Sequence, residues 1–278
     1  MNSPSTHHES VRTILRLLLA IGFAAFAWRT FAAPTFDTSR IQDADVRACV
    51  ERALPQHTMR QNLTVQVIDS TEAVRESNGT LDWKRFDDGL SKLLVRIVRS
   101  PQYTGVAVLM IERNAREPEI YVYSPELRRD RRVSSGALAG SLLGTDFTYE
   151  DFAFVQHLLA NGHIERKVDA DLDGHAAYVL ETVPDEEASA YSRIRTYVDK
   201  AQCVPVKTEF YGRNGSLDKQ LNVERSEIKQ IAERWVPMRM VMVNHKDKSR
   251  TVLVLNSVEF DQGLPDNLFN LATLRAGH

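Results

Sequence analysis

Cysteine is scarce in this 278-residue chain: there are two, Cys49 and Cys203, and no CxxC pair, so thiol–disulfide enzymology has nothing to stand on. Neither charge dominates. With 35 Lys and Arg against 37 Asp and Glu the chain lacks the basic footprint of a nucleic-acid binder, and no nucleic acid is expected as a partner. The apolar run at 17–28 stops after 12 residues, short of the roughly 20 that cross a bilayer as a helix. GxSxG, GxxxxGK[ST], a helix-opening GxGxxG and HExxH are all missing, which removes the common routes to nucleophilic, nucleotide and zinc chemistry. The 13 Gly and 10 Pro follow no period, so repeat and collagen-like architectures are excluded too.

The N-terminus is present as an address. Arg12 and Arg16 precede the run from Leu17 to Trp28, and small residues follow at Thr30, Ala32 and Ala33 before Pro34. This is the layout of a cleavable secretory signal over 1–32, with cleavage expected after Ala32 and Ala27 as the alternative. Residues 33–278 are then expected as one mature, mildly acidic, exported domain. In an oxidising compartment, two cysteines far apart in sequence read as one disulfide, Cys49 to Cys203.

Periodicity gives the class. Val46, Cys49, Val50 and Ala53 fall at i, i+3, i+4 and i+7, which predicts a helix over 43–54 that Pro55 ends. From there on the period is two. Segments near 63–69, 81–86, 91–99, 104–112, 119–124, 162–169, 175–183, 192–199, 204–211, 235–245 and 250–260 are short, rich in β-branched and aromatic residues, and punctuated by Gly, Pro, Asn or Asp. The expected class is mainly β: an antiparallel sheet curled into a barrel or half-barrel. One block, 134–161, carries no strand pattern; its second half, from Tyr149 to Leu159, reads as a short helix that caps or plugs the sheet.

Few clusters suggest chemistry. Asp169, Asp171, Asp173 and Gly174 match the first half of a calcium loop, but position 12 is Leu180, and a hairpin turn at Asp173–Gly174 explains them. His57, His157, His163, His175, His245 and His278 make no ligand-spaced pair, so no metal or other cofactor is expected. Met238, Met240 and Met242 are three of six methionines and share one face by alternation, for core packing or for an adaptable ligand-lining wall. Arg128 to Arg132 holds four Arg around Asp130 on an expected strand, either a solvated edge or a contact for anionic headgroups or an acidic partner.

Residues 121–133, YVYSPELRRDRRV, followed by 141–152, SLLGTDFTYEDF, resemble the signature of the bacterial LolA-like outer-membrane lipoprotein-sorting proteins. The matching positions are Tyr123, Pro125, Arg128 and Arg132, then Gly144, Asp146, Phe147, Tyr149 and Asp151. The resemblance continues through 174–184, 191–199, 203–211, 235–240, the strand at Thr251 and 264–269, and is weak before 90. Cys49 and Cys203 also resemble a cysteine pair of one branch of the family. The resemblance implies a half-open antiparallel β-barrel, LolA/LolB-like, wrapped over a few helices around an apolar cavity for acyl chains. It implies binding rather than catalysis. Lipoprotein acyl chains or a lipid would be the cargo, in the periplasm, with an inner-membrane RND-type exporter or a release complex as a partner; a LolA-like sheet also occurs in regulatory sensing modules. The candidate cavity residues are Met238, Met240, Met242, Tyr123 and Phe147, while Asp146 and 149–151 are expected to cap the plug helix.

Overall fold

Asp43 starts helix α1, Ala44–Ala53, by accepting from the backbone N–H of Asp45 and Val46, both at 3.1 Å. The helix buries Val46, Cys49 and Val50 on one face, carries Arg52 in its last turn and stops before Pro55, as the spacing predicts. The protein is described by a computed structural model over residues 43–113, 116–156, 162–184 and 189–276. The expected signal at 1–32, together with His157 and His278, lies outside these residues. The chain divides into Met1–Ala33 and Pro34–His278, and every described residue belongs to the second unit.

Strands follow as β1 Thr58–Ile68, β2 Val74–Arg85, β3 Ser91–Arg99, β4 Ala107–Arg113, β5 Arg116–Ser124 and β6 Arg129–Arg132. After helix α2, Tyr149–Gln156, come β7 His163–Leu172, β8 His175–Val183, β9 Tyr191–Asp199, β10 Pro205–Gly212 and β11 Leu217–Val223. The chain ends through β12 Ile228–Ile231, β13 Arg234–Pro237, β14 Arg239–Asn244, β15 Ser249–Phe260 and helix α3 Leu271–Ala276. Thirteen strands form one antiparallel sheet in the order β6-β5-β4-β3-β2-β1-β15-β14-β11-β10-β9-β8-β7, while β12 and β13 pair separately. The sheet stays open because β6 and β7, at its two edges, do not meet. It is the mainly-β, half-open architecture expected.

Three details differ from the sequence reading. The single strand anticipated over 235–245 is two: Met238 donates its N–H to Glu227 O, just before the small β12–β13 hairpin, and accepts from Leu255 N–H in the large sheet, so the chain changes sheets there. Pro237 has no N–H to extend the ladder. Arg128 is not on a strand but closes the turn after Ser124, with φ +48° and its N–H bonded to Pro125 O, so β6 carries only three of the four Arg. Strands β11 and β12 and helix α3 carry no strong local pattern and lie outside the expected segments. The hairpin reading of the Asp-rich turn holds. Asp173 and Gly174 both take positive φ, as a two-residue hairpin loop requires, and no group of metal-ligating side chains occurs among the described residues.

The sheet buries both faces where β3, β4 and β5 lie. Leu93, Val108, Met110, Ile120 and Val122 point inward, while Leu94, Ala107 and Leu109 face outward and are covered by Leu264, Phe269 and Leu274. At the other end α1 packs Val46 and Val50 on Ile164, Leu180 and Val198. The Cys49–Cys203 disulfide fixes that contact, joining α1 to the turn between β9 and β10.

Candidate functional site: an apolar cavity under the concave face

Alternation sets the wall. On β1 the inward positions are Met59, Gln61, Leu63, Val65 and Val67, all bordering one cavity of about 310 Å³. Pairing extends each into a row. Val65 lies opposite Ser77 of β2 and Leu253 of β15, Leu253 opposite Met240 of β14, and Met240 opposite Val223 of β11. These five residues cross five strands and all line the cavity. A second row runs Ile97, Gly79, Leu63, Leu255. Gly79 is required there, since a Cβ would come within 2.5 Å of Arg96 O at the bulge that shifts β2 against β3.

The roof is the segment 138–156. Leu142, Leu143, Phe147, Phe152 and Val155 close over the rows. Gly144 turns the loop with φ +71°, where an added Cβ would lie 2.9 Å from the Tyr103 hydroxyl. Asp146 anchors the loop to β15: its carboxylate accepts from Ser249 Oγ at 2.5 Å and Thr251 Oγ1 at 2.7 Å, and its N–H donates to Thr251 Oγ1. The cap of α2 is a reciprocal pair, Thr148 N–H to Asp151 Oδ2 at 2.7 Å and Asp151 N–H to Thr148 Oγ1 at 3.0 Å. Asp151, fully buried, also accepts from Tyr191 Oη at 2.6 Å and Lys219 Nζ at 2.8 Å. Burial, reinforced by Asp151, pushes the Tyr191 hydroxyl far above its ordinary value. Burial also raises the Glu150 carboxyl, which accepts from Ser189 Oγ and from Ala190 N–H.

The candidate residues separate into three places. Met240 and Phe147 line the cavity. Met242 is fully buried against Phe154, Phe210 and Leu221, and Met238 packs with Trp83 and Leu255; neither is among the residues that border the space. Tyr123 faces away, packed beside Leu94, Leu109 and Phe269 on the outer surface. The first half of the motif thus builds the sheet edge: Pro125 supports Gly105, Arg128 is exposed in its turn, and Arg132 lies 3.7 Å from Glu119. The second half, Gly144 to Asp151, builds the roof, with Tyr149 buried against Val122 and Val133. Sequence reasoning passed over Val65, Leu253 and Trp83 as wall residues, although the alternation of β1 and β15 carried the first two.

A protein family described as "Uncharacterized protein"-like matches residues 89–276. A search of curated proteins by sequence found no match. Among solved structures, a domain described as outer membrane lipoprotein-sorting from Vibrio parahaemolyticus is 25% identical, with a TM-score of 0.75 over 83% of this chain and 97% of that one. A DUF1329 family protein from Desulfovibrio piger has a TM-score of 0.76 at 20% identity, covering 83% of this chain and 96% of that one. A LolA superfamily protein from Nitrosomonas europaea has 0.66 at 21% identity, covering 82% and 98%. Both of the latter share the fold. The chain belongs to the family matched over 89–276, and its fold is that of the LolA-like outer-membrane lipoprotein-sorting proteins.

Proposed function

We propose that the protein is a periplasmic carrier that shields the acyl chains of a lipoprotein or a lipid between membranes. The observation that carries this reading is the cavity wall, built mainly from aliphatic and aromatic side chains under a roof made by the motif-bearing segment. Each methylene moved from water into such a wall gains about 0.8 kcal/mol, so a chain of ordinary length is held without any reactive group. Sequestration is therefore sufficient chemistry, and the role assigned is binding rather than catalysis. The likeness in fold and sequence to the lipoprotein-sorting domain from Vibrio parahaemolyticus supports it. An inner-membrane exporter of the RND type or a release complex would supply the cargo.

The test is displacement of a fluorescent fatty-acid probe from the delipidated mature chain. Met240→Glu places a charge in the middle of the five-strand row and abolishes binding, and Val223→Trp fills the same space without charge and weakens it. Asn62→Glu, on the exposed outer face of β1, leaves binding unchanged. Full binding by folded Met240→Glu and Val223→Trp proteins would remove the cavity assignment.

A further inference from the structure

The inward face of β2 changes character along its length. From Trp83 and Leu81 it passes through Gly79 to Ser77 and Arg75, all but the glycine bordering the cavity. Among the described residues that line the cavity, Arg75 is the only one that bears a charge. The register sets it opposite Val67, one inward position beyond the Val65–Ser77 pair, at the β1–β2 hairpin end of the wall.

The hydrogen-bond partners here are polar and neutral. Arg75 Nη1 donates to Gln102 Oε1 at 3.1 Å, and beside it Ser77 Oγ donates to Ser100 Oγ at 2.9 Å. Ser100 Oγ in turn accepts from the N–H groups of Gln102 and Tyr103, and Ser100 N–H donates to Thr104 Oγ1 at 2.8 Å, which ties the 100–104 loop into a fixed rim. Ser100, Pro101, Gln102 and Tyr103 all border the cavity. No carboxylate pairs with Arg75 among the described residues. Asp69 is near enough to feel its charge, but Asp69 Oδ1 is spent on Thr71 N–H, Thr71 Oγ1 and Ala73 N–H. Glu76, the next residue, points to the other face and accepts from Gln66. The guanidinium keeps donors available at the mouth of an otherwise uncharged apolar space.

Resting on the sequestration reading, we propose that Arg75, with Gln102 and Ser77, receives the oxyanion head of the cargo, so that the site selects chains ending in a carboxylate or phosphate over neutral acylglycerols. The dimensions agree. The eight residue steps from Arg75 to Trp83 span about 26 Å at 3.3 Å per residue, longer than the roughly 15 Å that one leaflet's chains occupy in a 30 Å hydrocarbon core. A chain with its head at Arg75 therefore lies along β2 wholly within the wall and ends before Trp83. Arg supplies paired donors matched to either oxyanion.

The experiment titrates the delipidated mature chain with palmitate, hexadecyl phosphate and monopalmitoylglycerol, which share a chain length, and with inorganic phosphate, which has no chain. The wild type binds one or both anionic chains at least about tenfold more tightly than the neutral one at low salt, the ratio for one charge-assisted hydrogen bond, and the ratio shrinks as salt rises. Arg75→Ala removes the preference without weakening monopalmitoylglycerol binding, Arg75→Lys keeps part of it, and inorganic phosphate displaces nothing. The better of the two anionic ligands identifies the head. Equal affinity for charged and neutral chains, or a preference that survives Arg75→Ala, overturns the headgroup site while leaving the cavity standing. Absence of binding for all three chains overturns the sequestration reading itself. Arg75 is exposed, so the variants fold, which thermal unfolding checks.

Discussion

The hydroxyl of Tyr191 donates to the carboxylate of Asp151 across 2.6 Å, linking strand β9 to the first turn of the roof helix in a site closed to water. Lys219 joins it from β11 at 2.8 Å, with its side chain 12% exposed. Three elements therefore share one buried polar knot. Its parts have different consequences when removed. Tyr191→Phe deletes one donor and costs roughly 1–3 kcal/mol, whereas Asp151→Ala strands the Lys219 ammonium and costs about 3–5 kcal/mol. Urea unfolding of the two variants measures the order, and equal losses would mean that the knot does not bear on stability as described.

The same tyrosine predicts an alkaline limb. Burial and Asp151 raise its folded value above the ordinary phenol value of about 10. The folded protein holds this proton while the unfolded chain releases it, so the contribution is complete below about pH 10 and is lost as pH rises further. The urea midpoint of the wild type should fall between pH 9 and 11 more steeply than that of Tyr191→Phe.

Asp199 predicts the acid limb. Burial works to raise its carboxyl, but Arg225 and the N–H groups of Gln202 and Ala201 together outweigh it, and the net shift is downward. Stability from this group is present above the unfolded value near 4 and drains away as pH falls below it. Asp199→Asn lowers stability at neutral pH and flattens the decline between pH 5 and 2. A decline as steep as the wild type's would remove Asp199 from the account.

Reduction of Cys49–Cys203 opens a loop with a sequence separation of 154. The chain-entropy relation puts the loss at about 5 kcal/mol. Calorimetry of Cys49→Ser/Cys203→Ser against the oxidised protein should show a lower melting temperature, together with loosened protection of α1 in hydrogen exchange. An unchanged α1 would show that its apolar face alone holds it.

Gly79→Ala sets a Cβ 2.5 Å from Arg96 O, a backbone atom that no rotamer can move aside. The expected cost is about 2 kcal/mol or more, of the order of other enforced backbone shifts. Gly136→Ala, where an added Cβ meets nothing within 4 Å, serves as the neutral control in the same melts.

How much was legible follows the range of each interaction. Helix α1 could be read because Asp43, the 46–49–50 stripe and Pro55 are local signals. Most strands could be read because Val, Ile and Tyr alternate along them. Strand β11 could not, because Leu217, Leu221 and Val223 are its only apolar residues and partners on β10 and β14 hold the rest in place. Helix α3 is six residues, too short to show a period, and exists because Leu274 is fully buried on the outer face of the sheet.

By itself the sequence determined the class of the fold and the motif, since alternation and turn residues are properties of neighbours along the chain, and the pairing of the cysteines, since there are only two. Only the tertiary structure decided which inward residues border empty space. Met240 and Met242 share a face by parity, yet Met242 is packed under Phe154 and Phe210 while Met240 stays at the cavity. Tyr123 carries the motif but its parity puts it on the outer surface. Parity is fixed by the strand, but whether a wall position is filled or open depends on where Asp146 anchors the roof, and that bond joins residues 105 positions apart.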